Sequence, residues 1–223
     1  MSSNRNELDT TLGGEYASTT ASSKNPTKRT RGAFIVVVGP DGSGKTSVAQ
    51  ALLQAREGRY FHFRPPYRAQ TMPRHPPVQG RPLAKDPGPA FPPLGWLRLG
   101  RSVVASWIGY LTAIRPTIAR GELVVADRWI YGYLVQPRPL RFGGPGWLAR
   151  LAIRVLPSPD LVVNLSAPVD VIHTRKSELS KNEIERELEA WQHLPTERLV
   201  TIDTSARVEK VIDEVHQHIA KVR

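Results

Sequence analysis

The chain has 223 residues, a formal charge of +11 and no cysteine, which suits one substantial core with insertions and excludes a disulfide framework and any thiolate metal site. No uncharged apolar run approaches the roughly 18–20 residues of a membrane span, because the best candidate, Ser102–Ile114, is bounded by Arg101 and Arg115. The charge is uneven, with 16 Lys and Arg against 4 Asp and Glu in residues 56–154 but 9 against 12 in residues 155–223, a basic middle that suits an anionic partner: nucleotide, sugar phosphate, nucleic acid or membrane surface.

Residues 1–31 are rich in Ser, Thr and Asn and lack the apolar core of a signal peptide, so they are expected to form a disordered tail ahead of a single domain at 32–223. A cysteine-free chain fits a reducing cytoplasm, the expected location. Phe34–Val38 is a short apolar run rich in β-branched residues and ended by glycine, which reads as a buried parallel strand. Val48, Ala51, Leu52 and Ala55 recur at helical spacing and predict a helix over Lys45–Arg56. A second strand is expected at Tyr60–Phe63, stopped by Pro65 and Pro66. Ten prolines in the twenty-nine residues from Pro65 to Pro93 predict a long surface loop. Leu94–Ala119 restores helical periodicity, with Leu97, Val104, Trp107, Ile108, Leu111 and Ile114 as its expected buried face. Strands follow at Leu123–Ala126, Leu161–Leu165 and Leu199–Ile202, and Val208–Lys221 closes the chain as an amphipathic helix. Strands alternating with helices predict an α/β, three-layer fold on a mainly parallel, five-stranded sheet.

Chemistry concentrates at the first strand-to-helix turn, where Gly39–Thr46 reads GPDGSGKT. This satisfies G-x-x-x-x-G-K-[ST] with a strand before it and a helix after it, the context the motif needs. Gly39, Gly42 and Gly44 let backbone N–H groups turn toward a phosphate without a Cβ in the way, Asp41, Ser43 and Ser47 belong to the same cradle, and the helix N-terminus adds partial positive charge. Lys45 would reach the β- and γ-phosphates of ATP, and Thr46 would hold Mg2+. A glycine-rich turn with a surface lysine is the bland alternative, but such a turn has no need of both Lys45 and Thr46. Asp127 stands at the carboxyl end of the third strand, where open α/β sheets place ligands. It is followed by Arg128, a residue better suited to an anionic acceptor than to activating water.

These residues come in an order that resembles the thymidylate-kinase-like branch of the P-loop nucleoside monophosphate kinases, over roughly residues 33–219. GPDGSGKT matches the P-loop, IRPTIARGELVVADRW the helix–Gly–strand–Asp-Arg-aromatic block, and PDLVVNLSAPVDVIHTRK the strand and helix that lead into a lid at about 175–190. The resemblance implies a P-loop NTPase fold in which Asp127 and Arg128 organise Mg2+, acceptor phosphate and attacking oxygen, and Arg175 closes over the transferring phosphate. It also places Arg64 on the acceptor's phosphate, although FRPPY follows the family's REPGG only loosely. Where thymidylate kinases carry an arginine for the thymine ring, this chain has Ser106 with Ala105 and Trp107 beside it. The segment DRWIYGYLVQPRPLRFGGP is similar instead to thymidylate-kinase-like proteins associated with bacterial surface-polysaccharide gene sets.

Trp129 and Tyr131 are candidates to stack on a base of the substrate, with core packing as the alternative, and Arg138 and Arg141 could grip a second phosphate or solvate a loop. In the charged segment Arg175–Leu188 most charges are expected to be solvated. His216 and His218 lie two apart on a helix, face different ways and make no metal site. The expected activity is ATP- and Mg2+-dependent phosphoryl transfer to a small phosphorylated acceptor, most simply a nucleoside monophosphate. The rivals are a sugar or sugar-phosphate kinase of surface-polysaccharide metabolism and an ATP-binding regulatory or nucleic-acid-associated protein. Nucleic acid is the less favoured partner, and a homodimer is compatible with the sequence.

Overall fold

Six consecutive buried residues, Ala33–Val38, form strand β1, and a strand with apolar side chains on both faces demands cover on both. β1 lies at the centre of the sheet in the computed structural model, which describes residues 31–62, 92–175 and 180–221. The other strands are β2 (Gly58–His62), β3 (Leu123–Asp127), β4 (Leu161–Ser166) and β5 (Leu199–Asp203). They take the order β2-β3-β1-β4-β5, and every neighbouring pair is parallel. The register sets Val37 level with Asp127, and His62 level with Asp127 on the other side of β3. The carboxyl ends of β1, β2 and β3 therefore meet at one edge.

Alternation along β1 divides the core. Ile35 and Val37 pack with Val48 and Leu52 of α1 (Lys45–Ala55) and with Val211 and Val215 of α8 (Val208–Lys221). Phe34, Val36 and Val38 face the opposite layer. There α2 (Pro92–Gly109) and α5 (Gly146–Val155) lie on the sheet through Leu99, Ala149 and Ala152. Short helices α3 (Arg115–Ala119) and α4 (Gly132–Val135), with α6 (Val169–Arg175) and α7 (Lys181–Gln192), complete the chain order. The result is the three-layer α/β arrangement with the five-stranded parallel sheet expected. Among the described residues no helix is long and apolar enough to cross a membrane.

Several local expectations change. β2 begins at Gly58, two residues early. The helix expected from Leu94 begins at Pro92, since a proline in the first turn gives up no hydrogen bond. It is also not continuous: a π-helical turn, Tyr110–Ile114, separates α2 from α3. The expected buried face is the outer one. Leu97 is 69 % exposed, Val104 59 %, Ile108 58 %, Leu111 50 % and Trp107 39 %, and of the six residues only Ile114 is buried. The inward side is Gly95, Leu99, Ser102, Ser106 and Gly109. Small residues let α2 approach closely, and both hydroxyls are satisfied: Ser102 Oγ bonds Tyr133 Oη at 2.7 Å, and Ser106 Oγ donates to Ser102 O at 2.7 Å. The wider π turn then advances the phase, so that Ile114 points inward where the preceding apolar residues point out. Helices α4 and α5, which the Gly/Pro-rich sequence around them conceals, were not expected. The tail up to residue 30, most of the Pro65–Pro93 loop, and residues 176–179 of the expected lid lie outside the described residues.

Candidate active site

The turn after β1 adopts the conformation its glycines permit. Gly39, Gly42 and Gly44 have φ of 135°, 93° and 89°, a region costly for residues with a Cβ. At Gly39 a Cβ would also stand 2.4 Å from Leu165 O, whereas above Gly44 there is open space. Gly44 precedes α1 and caps it with no side-chain hydrogen bond. The first-turn N–H groups of α1, on Lys45, Thr46 and Ser47, thus have no partner within the helix. Ser47 is exposed, Thr46 partly so, and Ser43 is fully buried with its hydroxyl unpartnered.

Lys45 is only 8 % exposed and folds back over this loop. Its Nζ donates to Pro40 O at 2.7 Å and Gly39 O at 3.0 Å and lies 3.5 Å from Asp41 Oδ1. Burial, and then the charge of Arg128, push its pKa below the ordinary lysine value, against the pull of Asp41 and Asp127. Asp41 also accepts from Arg128 Nη2. One carboxylate therefore joins the P-loop lysine to the arginine that follows β3, eighty-seven residues later.

Asp127 is nearly buried. Its Oδ2 accepts from His62 Nδ1 at 3.1 Å and from Tyr60 Oη at 3.3 Å. These two side chains alternate on β2 and so share one face, at the level the parallel register dictates. Burial alone would raise the Asp127 pKa. The His62 hydrogen bond and the charges of Lys45 and Arg128 outweigh it and hold the carboxyl below its ordinary value, while burial pushes the Tyr60 phenol well up. Asp127 Oδ1 is buried without a hydrogen-bond partner, as is Arg128 Nε 3.9 Å away. Arg128 and Trp129 hold φ of 64° and 44°. Left-handed backbone at two bulky residues in succession costs on the order of 1–3 kcal/mol each, and the surrounding contacts hold it: Arg128 N donates to Val37 O at 2.9 Å.

Lys45, Asp41, Asp127 and Arg128 thus come together. Trp129 does not join them: it is 2 % exposed and meets Phe34 edge-on at 5.4 Å in the core. Arg175, at the end of α6, is exposed and donates from Nη2 to Thr204 O at 3.2 Å, beside the end of β5. Arg64 lies outside the described residues. Tyr60 and His62 were legible only through the pairing of β2 with β3, and Glu187 was not legible at all. Glu187, on α7, accepts from Gln136 Nε2 at 2.8 Å through Oε1 and leaves Oε2 buried and unpartnered. Burial raises its pKa, with Asp41 adding to the rise and the Gln136 hydrogen bond, Arg128 and Lys45 opposing it.

No protein-family model matches the sequence, and no curated protein matches it. Solved structures do. The chain is similar to a thymidylate kinase from Candida albicans, described as having broad substrate specificity, with a TM-score of 0.58 and 17 % identity over 86 % of this chain and 92 % of that one. It is also similar to a thymidylate kinase from Ehrlichia chaffeensis, with a TM-score of 0.51 and 15 % identity over 85 % of this chain and 99 % of that one. Identity this low establishes a shared fold.

Proposed function

We propose that residues 32–223 form a P-loop kinase that transfers the γ-phosphoryl group of ATP to a small phosphorylated acceptor, most simply a nucleoside monophosphate. The observation that carries the reading is the convergence of Lys45, Asp41, Arg128 and Asp127 on an open, glycine-lined helix N-terminus. The donor set fits an anion beside a divalent cation. Two cationic side chains and the first-turn N–H groups suit phosphate oxygens, and the orphaned Asp127 Oδ1 and the partly exposed Thr46 hydroxyl in the first turn of α1 suit Mg2+. Among the described residues no group of three metal-binding side chains is present, which accords with a cation held by one carboxylate and by substrate phosphates. When bound, Mg2+ neutralises charge on the β- and γ-phosphates.

The chain's own residues do the rest by position and charge. Lys45 leaves the carbonyls of Gly39 and Pro40 for the β- and γ-oxygens. Arg128, fixed by Asp41, faces the acceptor's phosphate, and Arg64 adds to that grip. An ionised phosphate oxygen of the acceptor forms the new bond to the γ-phosphorus as the bond to the β,γ-bridging oxygen breaks, so no proton must be removed. Arg175 and the lid at about 175–190 close over the transferring group and exclude water.

The base is a separate matter. Ser106 is buried and donates to Ser102 O, while Trp107 is partly exposed on the outer side of α2, edge-on to Tyr110 at 6.2 Å. Neither supplies the charged arm that thymine recognition uses in the resembling family, and a site without its hydrogen-bonding arm loses discrimination by orders of magnitude. We therefore expect turnover of dTMP well below about 10⁴ M⁻¹s⁻¹ in kcat/KM, the low end for enzymes on their own substrates. An ADP-release assay over nucleoside monophosphates, nucleosides and sugar phosphates tests the whole reading. Acceptor-dependent, Mg2+-dependent ADP release supports it, and the absence of release with every acceptor overturns it. Efficient, thymine-selective turnover would sink the argument about the base.

A further inference from the structure

The alternation along β2 is explained only in part by packing. Phe61 turns into the layer of α2 and α5, and Tyr60 turns the other way, into the cluster that holds Val48 and Leu52 of α1. A phenylalanine would fill the place of the Tyr60 ring; the hydroxyl is extra, and a buried phenol needs a hydrogen-bond partner. It finds Asp127 Oδ2 at 3.3 Å. His62, the next residue on the same face of the strand, sets Nδ1 3.1 Å from the same oxygen. The parallel register that levels His62 with Asp127 brings both donors there. An ionised carboxylate only accepts, so Nδ1 carries the hydrogen of this bond.

Both donors thus go to one oxygen and neither to the other. Buried polar atoms are as a rule hydrogen-bonded, yet Asp127 Oδ1 is buried with no hydrogen-bond partner. The neighbouring cations do not fill the gap. Arg128 Nε stands 3.9 Å from Oδ1, too far for a hydrogen bond, and Lys45 Nζ directs its bonds to Gly39 O, Pro40 O and Asp41. A carboxylate that served only the fold would gain by sharing its donors between its oxygens. Two donors on Oδ2 instead fix the plane of the group and leave Oδ1 with its lone pairs open, which is how an oxygen is held ready for a hard divalent cation. Side chains that stand behind a metal-ligating carboxylate in this way set its orientation and its affinity.

We propose that Tyr60 and His62 are positioning residues that hold Asp127 by Oδ2 and so present Oδ1 to the divalent cation of phosphoryl transfer, an inference that rests on the kinase reading above. The affinity of the full chain for ATP alone, with chelator present, and for Mn-ATP is measured by titration calorimetry, and the ratio of the two is the contribution of the cation. His62→Ala should lower that ratio by about tenfold, the low end of the usual 10–100-fold loss because Tyr60 remains, and adding Tyr60→Phe should lower it further. Affinity for ATP alone should not change. His62→Asn, whose amide nitrogen stands as many bonds from Cβ as Nδ1 does, should keep most of the wild-type ratio, whereas His62→Gln, with its nitrogen farther out, should behave like His62→Ala. The same ratio in wild type and in the double variant overturns the proposal. Equal behaviour of Asn and Gln at position 62 also overturns it, since His62 would then be filling space at the strand end. A wild type that binds neither ATP nor Mn-ATP removes the kinase reading itself, and the proposal with it.

Discussion

Replacing Lys45 by alanine separates what the lysine does for the fold from what it does for phosphate. In the absence of nucleotide its ammonium is buried, depressed in pKa by that burial and by Arg128, and satisfied by two carbonyls and Asp41. The substitution removes a desolvated charge, which stabilises, and strands the carbonyls of Gly39 and Pro40, which destabilises. Each effect is worth about 1–3 kcal/mol and they oppose, so the melting temperature of the free protein should move by no more than a few degrees. Nucleotide changes the balance. At about one hundred times its Kd, Mg-ATP stabilises the wild type by about 2.7 kcal/mol, and for a chain of this size each kcal/mol is about 2–4 °C, giving a rise of roughly 5–11 °C. Lys45→Ala should lose most of that rise, and turnover should fall by about 10²–10³, the usual cost of one preorganised charge-stabilising group. Differential scanning fluorimetry with and without Mg-ATP, beside the ADP-release assay, measures both. A variant with the wild-type rise and wild-type turnover would refute the reasoning.

Gly39→Ala should fail more broadly, because its Cβ meets Leu165 O at 2.4 Å and its φ of 135° is closed to alanine; a melting temperature equal to wild type would contradict the close approach of the loop to β4. Ser180→Ala removes the hydroxyl of the capping box that opens α7 and should cost about 1 kcal/mol in urea unfolding, with an unchanged midpoint counting against the cap. Glu187→Gln keeps an acceptor for Gln136 and deletes the charge. Since burial raises the Glu187 pKa in the folded state, the carboxyl's contribution is fully present below the ordinary carboxylate range and is lost as pH rises through the raised value. The stability of wild type relative to Glu187→Gln should therefore decline with rising pH over that window and then level off, and parallel urea midpoints at all pH values would show that the carboxyl is not perturbed.

The P-loop and the sheet were legible because each is written in contiguous residues: the run Phe34–Val38, the glycines that follow it, Lys45 and Thr46, and Asp127 at the end of another apolar run. The rest of the site is written in pairings. His62 meets Asp127 only because β2 and β3 are parallel neighbours in one particular register, and Glu187 meets Gln136 only because α7 crosses α4. Neither relation has a signature in local spacing. The inversion of α2 has a different cause. Gly95, Leu99, Ser102, Ser106 and Gly109 recur at alternating steps of four and three residues, and so form a stripe as regular as the apolar one through Leu97, Val104, Ile108 and Leu111. Periodicity finds both stripes and ranks neither. Hydropathy ranks the apolar stripe inward, which is correct for a helix whose only partner is its own core. Close packing obeys another rule: small residues, with their hydroxyls satisfied by Tyr133 and by the preceding turn, bring the backbone of α2 close to the core and leave the large apolar side chains on the other side. The departure of α2 from the simple pattern thus follows from the close packing of its small-residue side, a preference that hydropathy does not carry.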